Sequence, residues 1–335
     1  MPTVDLTSFT GTSRSGRTSR TSRTGGLAPA APAAAPAPPP DGGALAAAPR
    51  RIGLTLAELQ HAARLAGGAP LPFEVAPPAA GDAMQARLGR SPAAVDDRAF
   101  RAAAAALPDP ADSLARRGLV TTGALEAGLA GAIGLLAAPR FALDVDVAMG
   151  GVQAKVWQRQ GGGAVASLST VDGVVYELAW FGTDAWAGEL ARVAAVSEAI
   201  PAGASSVPAY VDLPFELADA AAEASGSGRG DLLPVLAARH RGAVRDAAGP
   251  LEERAVAGLL AALATEARGR LRALVADVSA TEVDTAGVVS WTLLADGWRA
   301  LRPHQVDGVL RLEIRAVAPS ELGAVLAPLL GETAR

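Results

Sequence analysis

The sequence FALDVDVAMGGVQAKVWQRQGGGAVASLSTVDGVVYEL occupies residues 141–178 and alternates apolar and polar residues with a period of two. Such alternation is typical of strands that bury one face. Gly150-Gly151, Gly161–Gly163 and Asp172-Gly173 interrupt it, and glycine accepts the positive φ that tight turns require. The stretch therefore predicts a meander of four antiparallel strands.

The same order of elements recurs near the end of the chain. Further strands are predicted at Arg270–Val278, Val288–Leu294, Trp298–Leu301 and Val309–Ala316, with turns at Val283–Gly287 and Asp296-Gly297. A helix is expected after each set, the first capped by Thr183 or Asp184 and the second beginning at Pro319-Ser320. Two pseudo-repeats, at about 141–197 and 270–330, predict an α+β fold with a central antiparallel sheet built from two meander-plus-helix halves.

Helical patterns surround the two halves. Thr55 and Glu58 have capping-box spacing, which predicts a helix that begins there. The remaining expectations are a short strand over Leu71–Val75, helices over Ala93–Leu107 and from Ala124, and a helical section at 212–268. These patterns predict helical bundles that flank the sheet, within one domain over residues 51–335.

The first 50 residues have a different composition. Residues 1–26 carry four arginines and one acid, and residues 27–50 are mostly alanine and proline. Such a segment buries too little apolar surface to offset its chain entropy, so we expect a disordered arm. A transit peptide, a basic docking arm, a solvated tail and a start codon assigned too far upstream are all compatible with it.

The composition excludes several classes of active site. The 335 residues include no cysteine and three histidines, and their net charge is −4. Thiolate metal sites, disulfides and a cysteine nucleophile are thereby excluded, and an acidic chain is a poor general binder of nucleic acid. A G-x-S-x-G nucleophile elbow does not occur. We expect no catalytic residues, no cofactor and no metal.

Two short motifs have structural alternatives to a chemical role. Asp144 and Asp146 would lie on one strand face, where a cation could bridge them, but no third ligand is evident and a solvated strand face is favoured. Gly128, Gly131 and Gly134 lie within a predicted helix, which favours close packing over a dinucleotide-binding loop. The apolar stretch at 123–138 is too short to span a membrane, and we expect a cytoplasmic protein.

One predicted strand face combines aromatic and polar side chains. Trp157 shares it with Gln153, Lys155 and Arg159. This mixture is enriched in protein–protein recognition, so the face is a candidate binding surface. Core filling by Trp157 is the alternative.

Several stretches occur in a recognisable order: LTLAELQHAARL (54–65), PLPFEV (70–75), RRGLV (116–120), LLAAPRFALDVDV (135–147), the segment 152–178 and VDTAGVVSWTLLADGWRALRP (283–303). In these stretches and their order the sequence resembles the EspG family of type VII (ESX) secretion-associated chaperones from actinobacteria. The resemblance implies a pseudo-twofold antiparallel sheet with helical bundles and no catalysis. It also implies a cytosolic protein that binds the tip of a PE–PPE-type secretion substrate.

Family binding surfaces fall on the sheet and on the second helical section. By this resemblance the partner-binding residues include the strand with Trp157, the turn around Gly162, and Leu232, Leu233 and Val235. The expected function is a non-enzymatic chaperone that keeps a helical secretion substrate soluble before export. The alternative is a regulatory or scaffold protein whose basic arm docks on nucleic acid or membrane.

Overall fold

A computed structural model describes residues 49–74, 107–278 and 284–332. The chain divides into two compact units. The larger unit contains the described residues of 39–204, 267–302 and 315–335, and the smaller unit those of 205–266 and 303–314.

The strands are short at the ends of the sheet order and longest in its middle. Their bounds are β1 (Arg50–Thr55), β2 (Val120–Thr121), β3 (Ala124–Leu125), β4 (Phe141–Met149), β5 (Val152–Gly161), β6 (Ala164–Thr170), β7 (Val175–Gly182), β8 (Tyr210–Pro214), β9 (Arg245–Asp246), β10 (Gly249–Pro250), β11 (Gly269–Asp277), β12 (Asp284–Leu294), β13 (Gly297–Val306) and β14 (Val309–Val317).

In the described part of the chain, three helices precede the first set of long strands, four lie between the two sets and one follows the second. Their bounds are α1 (Leu56–Leu65), α2 (Pro110–Arg116), α3 (Ala127–Ala137), α4 (Trp186–Val193), α5 (Phe215–Gly226), α6 (Leu233–Arg239), α7 (Glu253–Thr265) and α8 (Glu321–Glu332).

The sheet of the larger unit has the order β1-β7-β6-β5-β4-β11-β12-β13. Every one of these neighbours pairs antiparallel. The first strands of the two halves, β4 and β11, pair with each other, with Val145 opposite Ala273. Each meander runs outward from this central pair, so the predicted α+β fold with two pseudo-repeated halves is confirmed.

One face of this sheet is buried beneath the two helices that end the halves. Its core contains Leu143, Val145 and Val275 together with the paired indoles of Trp291 and Trp298, whose centroids are 6.1 Å apart. A Cβ at Gly323 of α8 would lie 3.0 Å from the Cα of Ala187 in α4. Glycine is therefore required for the close packing of α4 against α8.

Part of the opposite face is covered by α1, α2 and α3. Leu59, Leu114 and Ile133 from these helices pack with Leu168 of β6 and Trp180 of β7. A Cβ at Gly128 would lie 2.9 Å from the Trp180 ring, so this glycine permits the close packing that its spacing predicts. Glu126 caps α3 by accepting a hydrogen bond from the Leu129 amide at 2.9 Å.

The smaller unit combines α5, α6 and α7 with β8, β9, β10 and the outer ends of β13 and β14. Val211 of β8 lies opposite Asp246 of β9. Asp212 accepts from Arg311 Nε at 2.8 Å and lies 3.0 Å from His304 Nε2, which ties β8 to the last hairpin. The helices fall within the helical section expected from the sequence.

Three local expectations are wrong for identifiable reasons. Residues 71–74 form bends and no strand, because Pro70 and Pro72 lack backbone donors. The expected turn at Val283–Gly287 is strand from Asp284 onward, where a β-bulge between Val275 and Ala276 takes up the irregularity. Thr183 and Asp184 do not cap α4 but lie in a 3₁₀ turn before it.

Two boundaries also differ. Ala124 and Leu125 belong to β3, and the helix that was expected from Ala124 begins at Ala127. Arg50, assigned to the arm, is the first residue of β1 and stacks on Trp180 at 5.0 Å. The rest of the expected arm (1–48) and nearly all of the expected helix at 93–107 lie outside the described residues.

Candidate partner-binding site

The predicted recognition face on β5 is only partly accessible. Gln153 and Lys155 are exposed, Trp157 is half-buried and Arg159 is buried. The four side chains share one face, as the alternation predicts, but they do not share one environment. The accessible side chains of this face therefore lie near the start of β5 and are the polar Gln153 and Lys155.

Trp157 packs against the covered part of the sheet. Its ring centroid is 5.0 Å from that of Phe73, which in turn stacks on Tyr176 at 5.2 Å. Burial raises the pKa of the Tyr176 hydroxyl, with the nearby Asp172 charge acting in the same direction. These contacts correspond to the core-filling alternative for Trp157.

Arg159 forms its hydrogen bonds with groups of the sheet itself. It is 7% exposed, and its NH1 group donates to Asp144 Oδ1 at 2.6 Å and to the Gln158 carbonyl at 3.0 Å. Asp144 of the D-x-D pair is thus held by a buried guanidinium. Among the described residues, no group of three or more acidic or histidine side chains could hold a metal ion.

The cross-strand register extends this face across four strands. Lys155 of β5 lies opposite Asp146 of β4, which lies opposite Arg272 of β11. In the next row Asp144 lies opposite Leu274, and Leu274 lies opposite Val288 of β12. Directly opposite residues of antiparallel strands project to the same face. We name this surface the open face, formed by the exposed side chains Asp146, Gln153, Lys155, Arg270, Arg272, Leu274 and Val288.

The open face contains an exposed apolar pair. Leu274 is 39% exposed and Val288 is 41% exposed, and they are direct cross-strand neighbours. Sequence reasoning missed both residues. The alternation of Arg270, Arg272 and Leu274 along β11 marks one face, but the sequence carries no signal that this face is exposed.

Charged side chains border the apolar pair. Within the described residues, no ion pair or side-chain hydrogen bond holds Lys155, Arg270 or Arg272. Arg270 lies opposite Ala148 on one side and Thr292 on the other, so no carboxylate faces it in register. In the described ranges, these three side chains are thus exposed without a bonded acceptor.

The remaining predicted residues lie elsewhere. Gly162 is exposed in the β5–β6 turn with a φ of +58°, which suits glycine. In the smaller unit Leu233 is buried, Leu232 is half-buried and Val235 on α6 is 64% exposed. Of these three side chains, Val235 is the one most available for contact, while Leu233 anchors the helix that presents it.

The carboxyl groups with shifted pKa lie at helix caps, turns and ion pairs. Burial raises the pKa of Glu58, but hydrogen bonds from the Thr55 amide and Ser113 and the charge of Arg117 outweigh it, and the pKa is lowered. Hydrogen bonds from the Val175 and Val174 amides lower the pKa of Asp172. These groups stabilise local structure.

Comparisons with known proteins place the fold. No family model and no curated protein matches the sequence. Among solved structures, the chain is similar to EspG5, the Mycobacterium tuberculosis type VII secretion system chaperone, in its complex with the PE25–PPE41 dimer. The TM-score is 0.53 at 14% identity, over 84% of this chain and 96% of that chain. The likeness is one of fold, and at that level it confirms the predicted resemblance.

The helices were also compared with the length and apolarity that a membrane span requires. Within the described residues, no helix is both long enough and apolar enough to cross a bilayer.

Proposed function

We propose that this chain is a non-enzymatic chaperone that binds a helical protein of a type VII secretion pathway in the cytosol and keeps it soluble before export. The open face is the proposed contact surface of the larger unit. The partner is a PE/PPE-like or other helical secreted protein, whose exposed apolar end would otherwise promote aggregation.

The observation that carries this proposal is the exposed apolar pair Leu274–Val288, on a stretch of sheet that no helix of the described ranges covers. An apolar centre with a charged border is the usual anatomy of a protein interface. Isolated exposed aliphatic residues are common, but here two are adjacent in register on a rigid strand pair. A preformed surface of this kind binds with little cost in ordering.

The fold supports the same function. EspG5 is a chaperone of a type VII secretion system, and its structure was solved bound to a PE–PPE dimer. The likeness in fold covers 84% of this chain and 96% of that chain. A shared fold does not by itself transfer function, so the proposal depends on the open face.

The structure changes the roles proposed for the predicted residues. Gln153 and Lys155 remain proposed contacts of the open face, while Trp157 and Arg159 are proposed to support it from the covered side. Gly162 and Val235 remain proposed contacts outside the open face. Leu232 and Leu233 are proposed to act by holding α6.

The test is capture of the partner from the native host with tagged full-length chain, followed by mass spectrometry and reconstitution of the pair from purified proteins. We expect a helical secreted protein that forms a stable complex with the wild-type chain. Leu274→Asp should weaken that complex at least tenfold, because a carboxylate then occupies the apolar centre. Val171→Asp is the matched control, since Val171 is also an exposed aliphatic residue of the larger unit but lies outside the open face.

Two outcomes would contradict the proposal. One is a reconstituted partner that binds Leu274→Asp and the wild type equally, with both variants shown to be folded by circular dichroism. The other is a chain that recovers no helical secreted protein but binds nucleic acid or anionic vesicles in a salt-sensitive way, lost on removal of residues 1–48. The second outcome would favour a docking or scaffold function.

A further inference from the structure

The charge balance of the open face differs in sign from that of the whole chain. The chain has a net charge of −4. The open face carries Lys155, Arg270 and Arg272 against the carboxylate of Asp146, and the half-exposed carboxylate of Asp144 lies opposite Leu274. The nearby Asp144 is already held by the buried Arg159 at 2.6 Å. The surface around the apolar pair is therefore positive.

The cations are arranged in line with the apolar pair. Leu274, Arg272 and Arg270 alternate along one face of β11, and alternate residues of a strand are roughly 7 Å apart. Lys155 and Arg272 lie on either side of Asp146 in register, so two cations flank this one carboxylate on neighbouring strands. Arg270, at the end of the row, has no carboxylate opposite it.

Covering this row with a neutral or basic surface would be unfavourable. A buried guanidinium that loses its water without gaining an acceptor costs several kcal/mol, and like charges across an interface repel. A carboxylate removes both penalties, because it can accept two parallel N–H bonds from one arginine. The surface thus discriminates among partners by charge as well as by shape.

From these observations we infer that the partner's binding tip is acidic: one or two apolar side chains seated on Leu274 and Val288, with Asp or Glu on the side that faces Arg272 and Arg270. The inference rests on the proposed function and adds the chemistry of the partner to it. It also predicts that association is accelerated by electrostatic attraction and slowed by salt.

The probe for this inference is a displayed library of disulfide-stapled helical hairpins whose tip residues are randomised, selected on the purified full-length chain. We expect the enriched tips to combine apolar residues with Asp or Glu. Raising NaCl from 0.05 to 0.5 M should weaken their binding at least fivefold. Arg272→Glu should weaken it about tenfold, and Arg272→Gln by less.

A charge exchange provides the specific control. Replacing the enriched acidic residue of a tip with Lys should abolish binding to the wild type and restore part of it to Arg272→Glu. Arg116→Glu is the matched control variant, because Arg116 is an exposed arginine of the larger unit on α2, outside the open face. It should leave tip binding within twofold of wild type.

The outcomes separate this inference from the proposed function. Tips that lose binding to Leu274→Asp but are neutral or basic would overturn the inference and leave the chaperone proposal standing. If no enriched tip is sensitive to Leu274→Asp, the open face is not a docking surface for helical tips, and both proposals fail. Acidic tips sensitive to both Leu274→Asp and Arg272→Glu support both.

Discussion

Two parts of one sheet face differ sharply in the larger unit. On β6 and β7 the face is apolar and covered, with Leu168 and Trp180 packed beneath α1 and α3. On β4 and β11 the same face is charged and none of the described helices covers it, and Leu274 is exposed beside Arg272 and Asp146. The covered part stabilises the fold, while the open part is the proposed binding surface.

The boundary between these parts runs along β5. Trp157 contacts Phe73 on the covered side, whereas Lys155, two residues earlier, is exposed. Aromatic residues in this sheet therefore mark where helices cover it. The exposed residues of the open part are aliphatic and charged, and the sequence analysis named Gln153 and Lys155 among them but not Leu274 or Val288.

The largest expected difference between the two parts is in stability. Trp180→Ala removes a buried indole and should lower the free energy of unfolding by about 3–5 kcal/mol. Leu274→Ala should lower it by less than about 1 kcal/mol, since Leu274 is already partly in water. Urea denaturation followed by tryptophan fluorescence and circular dichroism measures both. Equal losses would mean that the open part is also core.

The parts of the fold that the sequence predicts correctly are those with local sequence signals. Alternation and glycine turns located β4 to β7 to within a residue or two, because each strand buries one face and each turn needs a positive φ. The capping box at Thr55 and Glu58 is present as predicted, with both reciprocal hydrogen bonds. Such signals are local, so one sequence suffices to detect them.

The candidate site could not be predicted to the same extent. Which half of a sheet face is covered depends on where α1 and α3 pack, and that is a long-range outcome. Arg159 has the polarity of a surface residue, yet it is buried because Asp144 and two backbone carbonyls satisfy its guanidinium. Neither fact is encoded in the spacing along β5.

The second prediction concerns the ion pairs that hold β1 at the edge of the covered part. Glu189 of α4 is 9% exposed as a side chain and pairs with Arg51 and with Arg192. Burial raises the pKa of Glu189, but the hydrogen bonds and charges of Arg51 and Arg192 outweigh it and lower the pKa. Glu189→Gln should therefore cost about 1–3 kcal/mol near pH 7.

The lowered pKa of Glu189 determines the direction in which the stability difference changes with pH. A carboxylate whose pKa is lower in the folded than in the unfolded state stabilises the fold above its unfolded value, near 4.5. That contribution is lost as the pH falls through the folded-state pKa. The stability difference between wild type and Glu189→Gln should therefore shrink as the pH is lowered from 7 to 3. A difference that stays constant with pH would show that packing, and not charge, accounts for it.

A second comparison is between the corresponding hairpin loops of the two halves. The tetrapeptide Val-Asp-Gly-Val links the third and fourth strands of both halves, at 171–174 and 306–309. The identical residues adopt different turns. Asp307 has a positive φ of 49° in a two-residue turn. In the longer loop around Asp172, Gly173 has a positive φ and Asp172 does not.

The third prediction uses this pair of hairpins. Asp172 Oδ1 accepts from the Val174 and Val175 amides at 2.9 and 3.0 Å, so Asp172→Ala should cost about 1 kcal/mol. Asp172→Asn keeps an acceptor and should cost less. At Asp307, where the backbone is left-handed, Asp307→Gly should be neutral or stabilising. Thermal unfolding of the three variants checks this, and a stabilising Asp172→Ala would contradict it.

The smallest expected effect concerns Arg159 and Arg272, two arginines that project to the same face of the sheet. Arg159→Gln would leave Asp144 without its buried partner, whereas Arg272→Gln removes a side chain that no described residue holds. The free energy of unfolding should therefore change by less than about 0.5 kcal/mol in Arg272→Gln and fall clearly more in Arg159→Gln. Paired denaturation curves in one buffer resolve the difference. If Arg272→Gln proved as costly as Arg159→Gln, Arg272 would be committed to the fold, and the positive charge proposed to select an acidic partner would not be available to it.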